Sequence, residues 1–244
     1  MSSEASAAVT RGARALQTVA VVALVAWAVA SLLGSLDVVG VDLDVTLGLY
    51  GFVLTFAFGK AYALVPSYFD RSLASSRVPT VHAALAAVGV AGLAWAEFGA
   101  PEPVALGGTL AWAAGVALFV ATLGVTARAN LTGAETGTGD HAADRRPVDR
   151  IANLAVPVVL LYLLAGTLAL VARALDLSVP WVVGRAGGSH LLAAGGAALL
   201  IFGVGFRLLP RLLVVSVDRR VVGLVVVTGA LGPGLLAVSL YRDP

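Results

Sequence analysis

Residues 16–35 read LQTVAVVALVAWAVASLLGS, an apolar run about as long as a helix that crosses a lipid bilayer. The chain contains seven such runs, and together they fill nearly all of it. Hydrophobic residues make up 59% of the 244 residues and charged residues 12%, whereas roughly a quarter of a soluble domain is charged. Mean hydropathy is +0.94. The sequence therefore predicts an all-α integral membrane protein with seven transmembrane helices.

The predicted helices follow from windows of about twenty residues. They cover residues 16–35, 46–67, 79–98, 104–126, 151–172, 189–210 and 221–241. The first shows no signal-peptide cleavage pattern, so we expect it to remain in the protein. Residues 127–150 are polar and include the turn-rich Thr136-Gly137-Thr138-Gly139-Asp140. This segment predicts a flexible loop between the fourth and fifth helices.

The distribution of charge predicts how the chain crosses the membrane. Lysine and arginine collect in cytoplasmic loops, and a cytoplasmic N-terminus places most of the arginines on that side. The exterior loops then carry acidic residues, namely Asp37, Asp42, Asp44, Glu97 and Glu102. We therefore predict a multi-pass protein of the cell membrane with its N-terminus inside and its C-terminus outside. This topology explains the basic pI of about 9.3 without a nucleic-acid partner.

Two helices share a weak internal repeat. Residues 51–59, GFVLTFAFG, recur in outline at residues 195–203, and a Leu-Val-Pro or Leu-Leu-Pro ending closes each copy at Pro66 and Pro210. An Asp-Arg pair follows both copies. Because both copies run in the same direction, the pattern predicts parallel repeats within one transmembrane domain, residues 1–244. Residues 1–100 and 151–244 each form three helices, helix 104–126 links them, and the loop covers 127–150.

Glycine and proline within the helices predict two features of the packing. Gly51, Gly89 and Gly195 are expected to let neighbouring helices approach closely. Gly229 and the sequence Gly232-Pro233-Gly234 are expected to break the last helix, which frees backbone carbonyls that a neighbour or a cavity must satisfy.

Lys60 is the only lysine, and it lies inside the second predicted helix. An ionisable group at that depth costs free energy and marks functional sites. One interpretation is a polar substrate path formed by Lys60 and Tyr62. The other is that the side chain snorkels to the headgroups. The sequence leaves both open. It argues against a retinal protein, since the last helix contains no lysine.

Three histidines are the remaining candidates, because the chain has no cysteine. His141 lies in the polar loop, where we expect it to be solvated. His82 and His190 lie near opposite membrane surfaces in the predicted topology, so they cannot both bind one haem within a subunit. A single interfacial histidine is ordinarily a headgroup or capping contact.

The helix that begins near His190 resembles a known element. Ser189-His190-Leu191-Leu192, Gly195 and the run from Ile201 to Arg211 are similar to a helix of small proteins related to haem–copper oxidase subunit I and to NnrS-type haem and copper membrane proteins. Residues 50–66 are similar to the same element. The resemblance covers a minor part of the chain.

This resemblance implies that His190 holds haem iron at the outer end of its helix. The chain departs from the family pattern in several places. Thr46 stands at the position of His190 in the first copy, and Phe206 and Tyr62 stand where the family often has a further histidine. No paired histidines for copper are present. The resemblance therefore implies one b-type haem with a single axial ligand, a haem shared between subunits, or a relative that has lost its metal and binds none.

Two classes of function follow. The first is a redox-associated polytopic membrane protein with one b-type haem at His190. The alternative is a non-redox small transporter or accessory membrane subunit with a polar path at Lys60. Expected partners are the lipid bilayer, a redox or membrane subunit, and a second copy of the chain. The sequence has no HExxH, GxSxG or phosphate-binding loop, so it favours a protein without enzymatic activity and leaves the question open.

Overall fold

A computed structural model describes residues 3–36, 40–177 and 184–242. Within these ranges, seven helices are long and apolar enough to cross a membrane. They are α1 (Ser3–Gly34), α2 (Asp42–Tyr68), α3 (Val78–Ala96), α4 (Glu102–Ala127), α5 (Ala142–Ala174), α6 (Arg185–Leu212) and α7 (Arg219–Arg242). The described residues contain no β-strand. The prediction of seven apolar helices is confirmed, and it is compatible with a multi-pass membrane protein. Asp37 and the side chain of His141 lie outside the described residues.

Two helices begin well before their predicted start. Helix α1 begins at Ser3 because the residues before its apolar run, such as Ala5 and Ala7, are good helix formers. Helix α5 begins within the 3-10 turn Asp140–Arg145 and continues into Arg146–Asn153, whose first turn contains a proline. The predicted helices did not include these segments, because the segments are polar and the prediction used apolar windows of about twenty residues. The predicted loop is consequently shorter than residues 127–150.

Helices α2 and α6 each contain a long π-helical stretch. These stretches are Thr46–Leu54 and Leu191–Ala198, and they fall at matching positions of the two similar sequence segments. In α2 the hydroxyl of Thr55 donates a hydrogen bond of 2.8 Å to the carbonyl of Tyr50, which satisfies one carbonyl near the end of the stretch. Most π-helices are single turns, and they occur often at functional sites.

The described helices belong to two compact units. Unit 1 comprises residues 1–63, 75–121 and 167–182, and unit 2 comprises residues 64–74, 122–166 and 183–244. In unit 1, glycines permit close helix contacts. A Cβ atom on Gly12 would lie 2.6 Å from Cβ of Pro79, and one on Gly92 would lie 2.6 Å from Cα of Gly108. A real Cβ atom does not fit at these distances, so α3 lies directly against α1 and α4.

Tyr162 of α5 joins α6 and α7 within unit 2. Its ring lies against Gly195, where a Cβ atom would come within 2.3 Å of Cγ. Its hydroxyl donates to the carbonyl of Ala230 at 2.5 Å and accepts from the backbone N–H of Gly234 at 3.1 Å. A hydroxyl therefore bridges the backbone of α7 beside Pro233. Helix α7 is continuous through Pro233, so the predicted break of the last helix is wrong. The hydroxyl of Tyr162 supplies partners for backbone groups beside the proline, and the helix therefore continues past it.

Candidate functional site

Lys60 lies on the surface of unit 1. Its side chain is exposed, and its Nζ atom lies 5.3 Å from the ring centroid of Phe56, one turn towards the N-terminus of α2. This direction follows from the tilt of side chains along a helix. Tyr62 is buried. The structure therefore does not bring Lys60 and Tyr62 together, and the polar path at these residues stays a prediction.

We expect Lys60→Met to unfold at the same temperature as the parent or above it. An exposed ammonium inside an apolar helix costs free energy in lipid, and methionine removes that cost. Thermal unfolding of the reconstituted protein measures the effect. Tyr62→Phe is the comparison, because it removes a buried hydroxyl from the same helix and should lower the midpoint. A lower midpoint for Lys60→Met would contradict the exposed placement and show that the ammonium has a partner.

His82 lies in the packed interior of unit 1. Its side chain is 1% exposed, and its Nδ1 atom lies 3.1 Å from the hydroxyl of Tyr62. The rings of Phe58 and Phe119 surround the pair, with centroids 5.0 and 6.0 Å from the imidazole. A Cβ atom on Gly115 would lie 2.9 Å from Cδ2 of His82. The expectation of a headgroup contact is therefore wrong for His82, because the glycine in α4 makes room for the imidazole.

His190 ends the first α-helical segment of α6, immediately before the π-helical stretch. The side chain is partly exposed, whereas its Nε2 atom is buried and has no hydrogen-bond partner among the described residues. A buried nitrogen without a partner costs about 1–3 kcal/mol, so it requires an explanation. The described residues contain no group of three or more histidine, cysteine, aspartate or glutamate side chains that could hold a metal ion.

A buried charged network in unit 2 joins α2, α5 and α6. Arg207 is 2% exposed, and its Nη1 atom donates to Oδ1 of Asn153 at 2.6 Å and to the carbonyl of Tyr68 at 3.0 Å. Asn153 also donates to that carbonyl, at 2.8 Å. The guanidinium lies 4.2 Å above the ring of Tyr68. These contacts bind the last turn of α2, where backbone carbonyls lack helical partners.

Asp149 supplies the negative charge of this network. Its Oδ1 atom lies 3.7 Å from Nε of Arg207, and its Oδ2 atom accepts from Nη2 of Arg211 at 2.7 Å. The hydroxyl of Thr138 also donates to Oδ2. Nε of Arg207 is buried and has no hydrogen bond within the described part of the chain. One carboxylate therefore faces two guanidinium groups, which leaves a net positive charge.

The polar segment after α4 is held by side-chain hydrogen bonds. Asn130 donates to the carbonyls of Phe69 and Glu135 at 3.1 and 2.6 Å, and its Oδ1 accepts from the N–H of Glu135 at 3.1 Å. Arg71 forms an ion pair with Glu135 at 2.6 Å. The prediction of a flexible loop did not include these bonds, because Phe69 and Arg71 are far from this segment in sequence.

Two adjoining cavities of about 330 and 530 Å³ lie beside the charged network. Asp144, Arg145 and Arg211 line both of them. Asp149 and Arg207 line the smaller cavity, and neither cavity is lined by Lys60, Tyr62 or His190. The cavities therefore belong to the charged network rather than to any predicted site residue.

No sequence pattern identified Asp149, Asn153 and Arg207 as a group. Arg207 lies inside the predicted helix 189–210, and a charge within a predicted span was a signal for a buried partner. It was attributed to the cytoplasmic charge bias instead. Asp149 fell just before the predicted fifth helix, so its burial was not apparent.

Comparisons with protein-family models, with curated proteins and with solved structures found no match to this chain. The resemblance to proteins related to haem–copper oxidase subunit I consequently stays a prediction.

Proposed function

We propose that this chain is a redox-associated polytopic membrane protein that binds one b-type haem through His190. The observation that supports the proposal is the buried Nε2 atom of His190, which has no hydrogen-bond partner among the described residues. A neutral imidazole nitrogen is a common axial ligand of haem iron, and coordination would remove the cost of leaving this atom unpaired.

The single donor atom, Nε2 of His190, fits a haem whose iron receives one axial ligand from this chain. His190 would supply the single ligand, because the described residues contain no group of three or more metal-binding side chains. A bound haem would supply one-electron chemistry. The residues of the chain would position it, since buried Gly187, Gly188 and Leu192 fix the part of α6 that carries the imidazole. A redox or membrane subunit, or a second copy of the chain, would complete the other side.

The proposal includes an arrangement in the cell membrane. The N-terminus is cytoplasmic, the C-terminus is outside, and residues 1–100 and 151–244 form parallel three-helix repeats. The matching π-helical stretches in α2 and α6 support the repeat, as do Pro66 and Pro210 near the helix ends. The charge bias supports the orientation.

A reduced-minus-oxidised absorption spectrum tests the haem. Protein expressed with haem and purified in detergent is expected to give a sharp band near about 560 nm, the usual region for b-type haem. His190→Ala should abolish the band, because the chain would lose its ligand. His141→Ala should keep it, since that residue lies in the polar segment. A full band in the His190 variant, or a flat spectrum in the parent, would overturn the proposal.

A second candidate is a non-redox small transporter or accessory membrane subunit. The observation that favours it is the network of the buried Asp149 and Arg207 with the half-buried Arg211. Charges inside membrane helices commonly mark ion or substrate pathways. A polar path would then pass the cavities beside this network. A parent protein without haem, together with uptake of a charged solute into vesicles, would support this candidate over the first.

A further inference from the structure

The cavities beside the charged network combine positive charge with an apolar wall. Arg145 and Arg211 line both cavities, where the carboxylate of Asp144 lies beside them. The wall of the smaller cavity also includes Phe206, Pro210 and Val215. A site that bound a free inorganic anion would need only the polar part. A cavity with both kinds of wall is typical of a binding site for a ligand that has a charged head and a hydrocarbon tail.

Donors remain available for an anion in these cavities. No described residue forms a hydrogen bond or ion pair with the guanidinium of Arg145. Arg211 uses only Nη2 for its bonds to Asp149 and Thr138, and its side chain is 34% exposed. Arginine has five N–H donors, so part of each guanidinium can bind phosphate oxygens. The buried Nε of Arg207 adds positive charge behind them.

The apolar wall continues onto the surface of unit 2. Leu212 ends α6, and Leu213 and Val214 follow it. All three side chains are exposed, Val214 to 82%. Val214 also has a φ of 54°, which is unusual for a β-branched residue. Exposed apolar residues at the end of a membrane helix lie where lipid chains begin. The cavity therefore opens beside a surface that suits an acyl chain.

We propose that Arg145 and Arg211 bind the phosphate of an anionic phospholipid in this cavity, with its acyl chain along Leu212–Val215. The anion balances the net positive charge of the smaller cavity, where three arginines (Arg145, Arg207, Arg211) face two carboxylates (Asp144, Asp149). The proposal does not depend on haem binding. It places the lipid at the membrane surface predicted to be cytoplasmic, where anionic lipids attract basic residues.

Native mass spectrometry of the full-length protein in mixed micelles tests this proposal. The probes are phosphatidylglycerol, phosphatidylcholine and inorganic phosphate. We expect phosphatidylglycerol to bind more tightly than phosphatidylcholine, and inorganic phosphate not to displace it. Arg145→Gln should weaken phosphatidylglycerol binding about tenfold, as expected for one charge-assisted phosphate contact. Folding should not depend on this side chain, because it has no bond to the described residues.

Arg128→Gln is the matched control. It removes one exposed positive charge after α4, outside both cavities. It should leave phosphatidylglycerol binding unchanged. Equal losses in the two variants would indicate general charge attraction and overturn the site. Equal binding of both lipids would also overturn it. Displacement by inorganic phosphate would assign the cavity to a free anion and overturn the lipid assignment.

Discussion

Arg207→Ala is expected to lower the free energy of unfolding by about 3–5 kcal/mol. The substitution removes the partner of the buried Asn153 side chain and one of the two guanidinium groups that face Asp149. It also removes a donor from the carbonyl of Tyr68 at the end of α2. A buried polar group that loses its partner keeps the cost of desolvation. Denaturant unfolding in detergent, followed by helix content, measures the change.

Two comparison variants separate the buried charge from a general effect of removing an arginine. Arg219→Ala removes an exposed arginine at the start of α7 and should change stability by no more than about 0.5 kcal/mol. The double variant Arg207→Met with Asp149→Leu should recover much of the loss, since apolar side chains often replace a buried ion pair without cost. If the double variant were as unstable as the sum of the single ones, Arg207 and Asp149 would not be coupled.

Gly108→Ala is expected to destabilise unit 1 by about 1–3 kcal/mol. A Cβ atom on Gly108 would lie 2.7 Å from Cα of Gly92 and 2.8 Å from the backbone nitrogen of Leu93. Backbone atoms of α3 cannot rotate away, so α3 and α4 must separate and lose contact along their length. Thermal unfolding of the detergent-purified protein measures the loss.

Gly107→Ala is the internal control, one residue earlier in the same helix. A Cβ atom there would meet nothing within 4 Å. Alanine has a higher helix propensity than glycine, so stability should stay the same or rise by up to about 1 kcal/mol. Opposite effects at adjacent glycines would locate the helix contact. Equal losses at both positions would contradict the close approach of α3 and α4.

The number and type of the helices could be predicted because apolar length is a local property of the sequence. A run such as residues 16–35 is long enough to cross lipid whatever surrounds it. The residues at which the helices begin and end were less predictable. Helices α1 and α5 extend into polar residues, where packing and proline chemistry decide the boundary and hydropathy does not. The π-helical winding of α2 and α6 also has no hydropathy signal.

The candidate sites could be predicted only in part. The sequence identified Tyr62, His82 and His190 as chemically capable residues, but not that Tyr62 and His82 form a hydrogen bond. Whether a side chain is buried depends on the residues that pack against it. Gly115 leaves the space that the imidazole of His82 occupies. The pairing of Asp149 with Arg207 joins residues far apart in sequence. A single sequence gives no measure of such long-range contacts.

The hydrogen bonds at the end of α2 can form only after later parts of the chain have been synthesised. Chains emerge from the ribosome N-terminal residue first. The carbonyls of Tyr68 and Phe69 accept from Asn153, Arg207 and Asn130, all of which are synthesised after α4. The last turn of helix α2 therefore lacks these donors until the later residues have been synthesised. Asp149 likewise has no arginine partner before α6 is made, so a chain arrested before α6 would retain an unneutralised carboxylate.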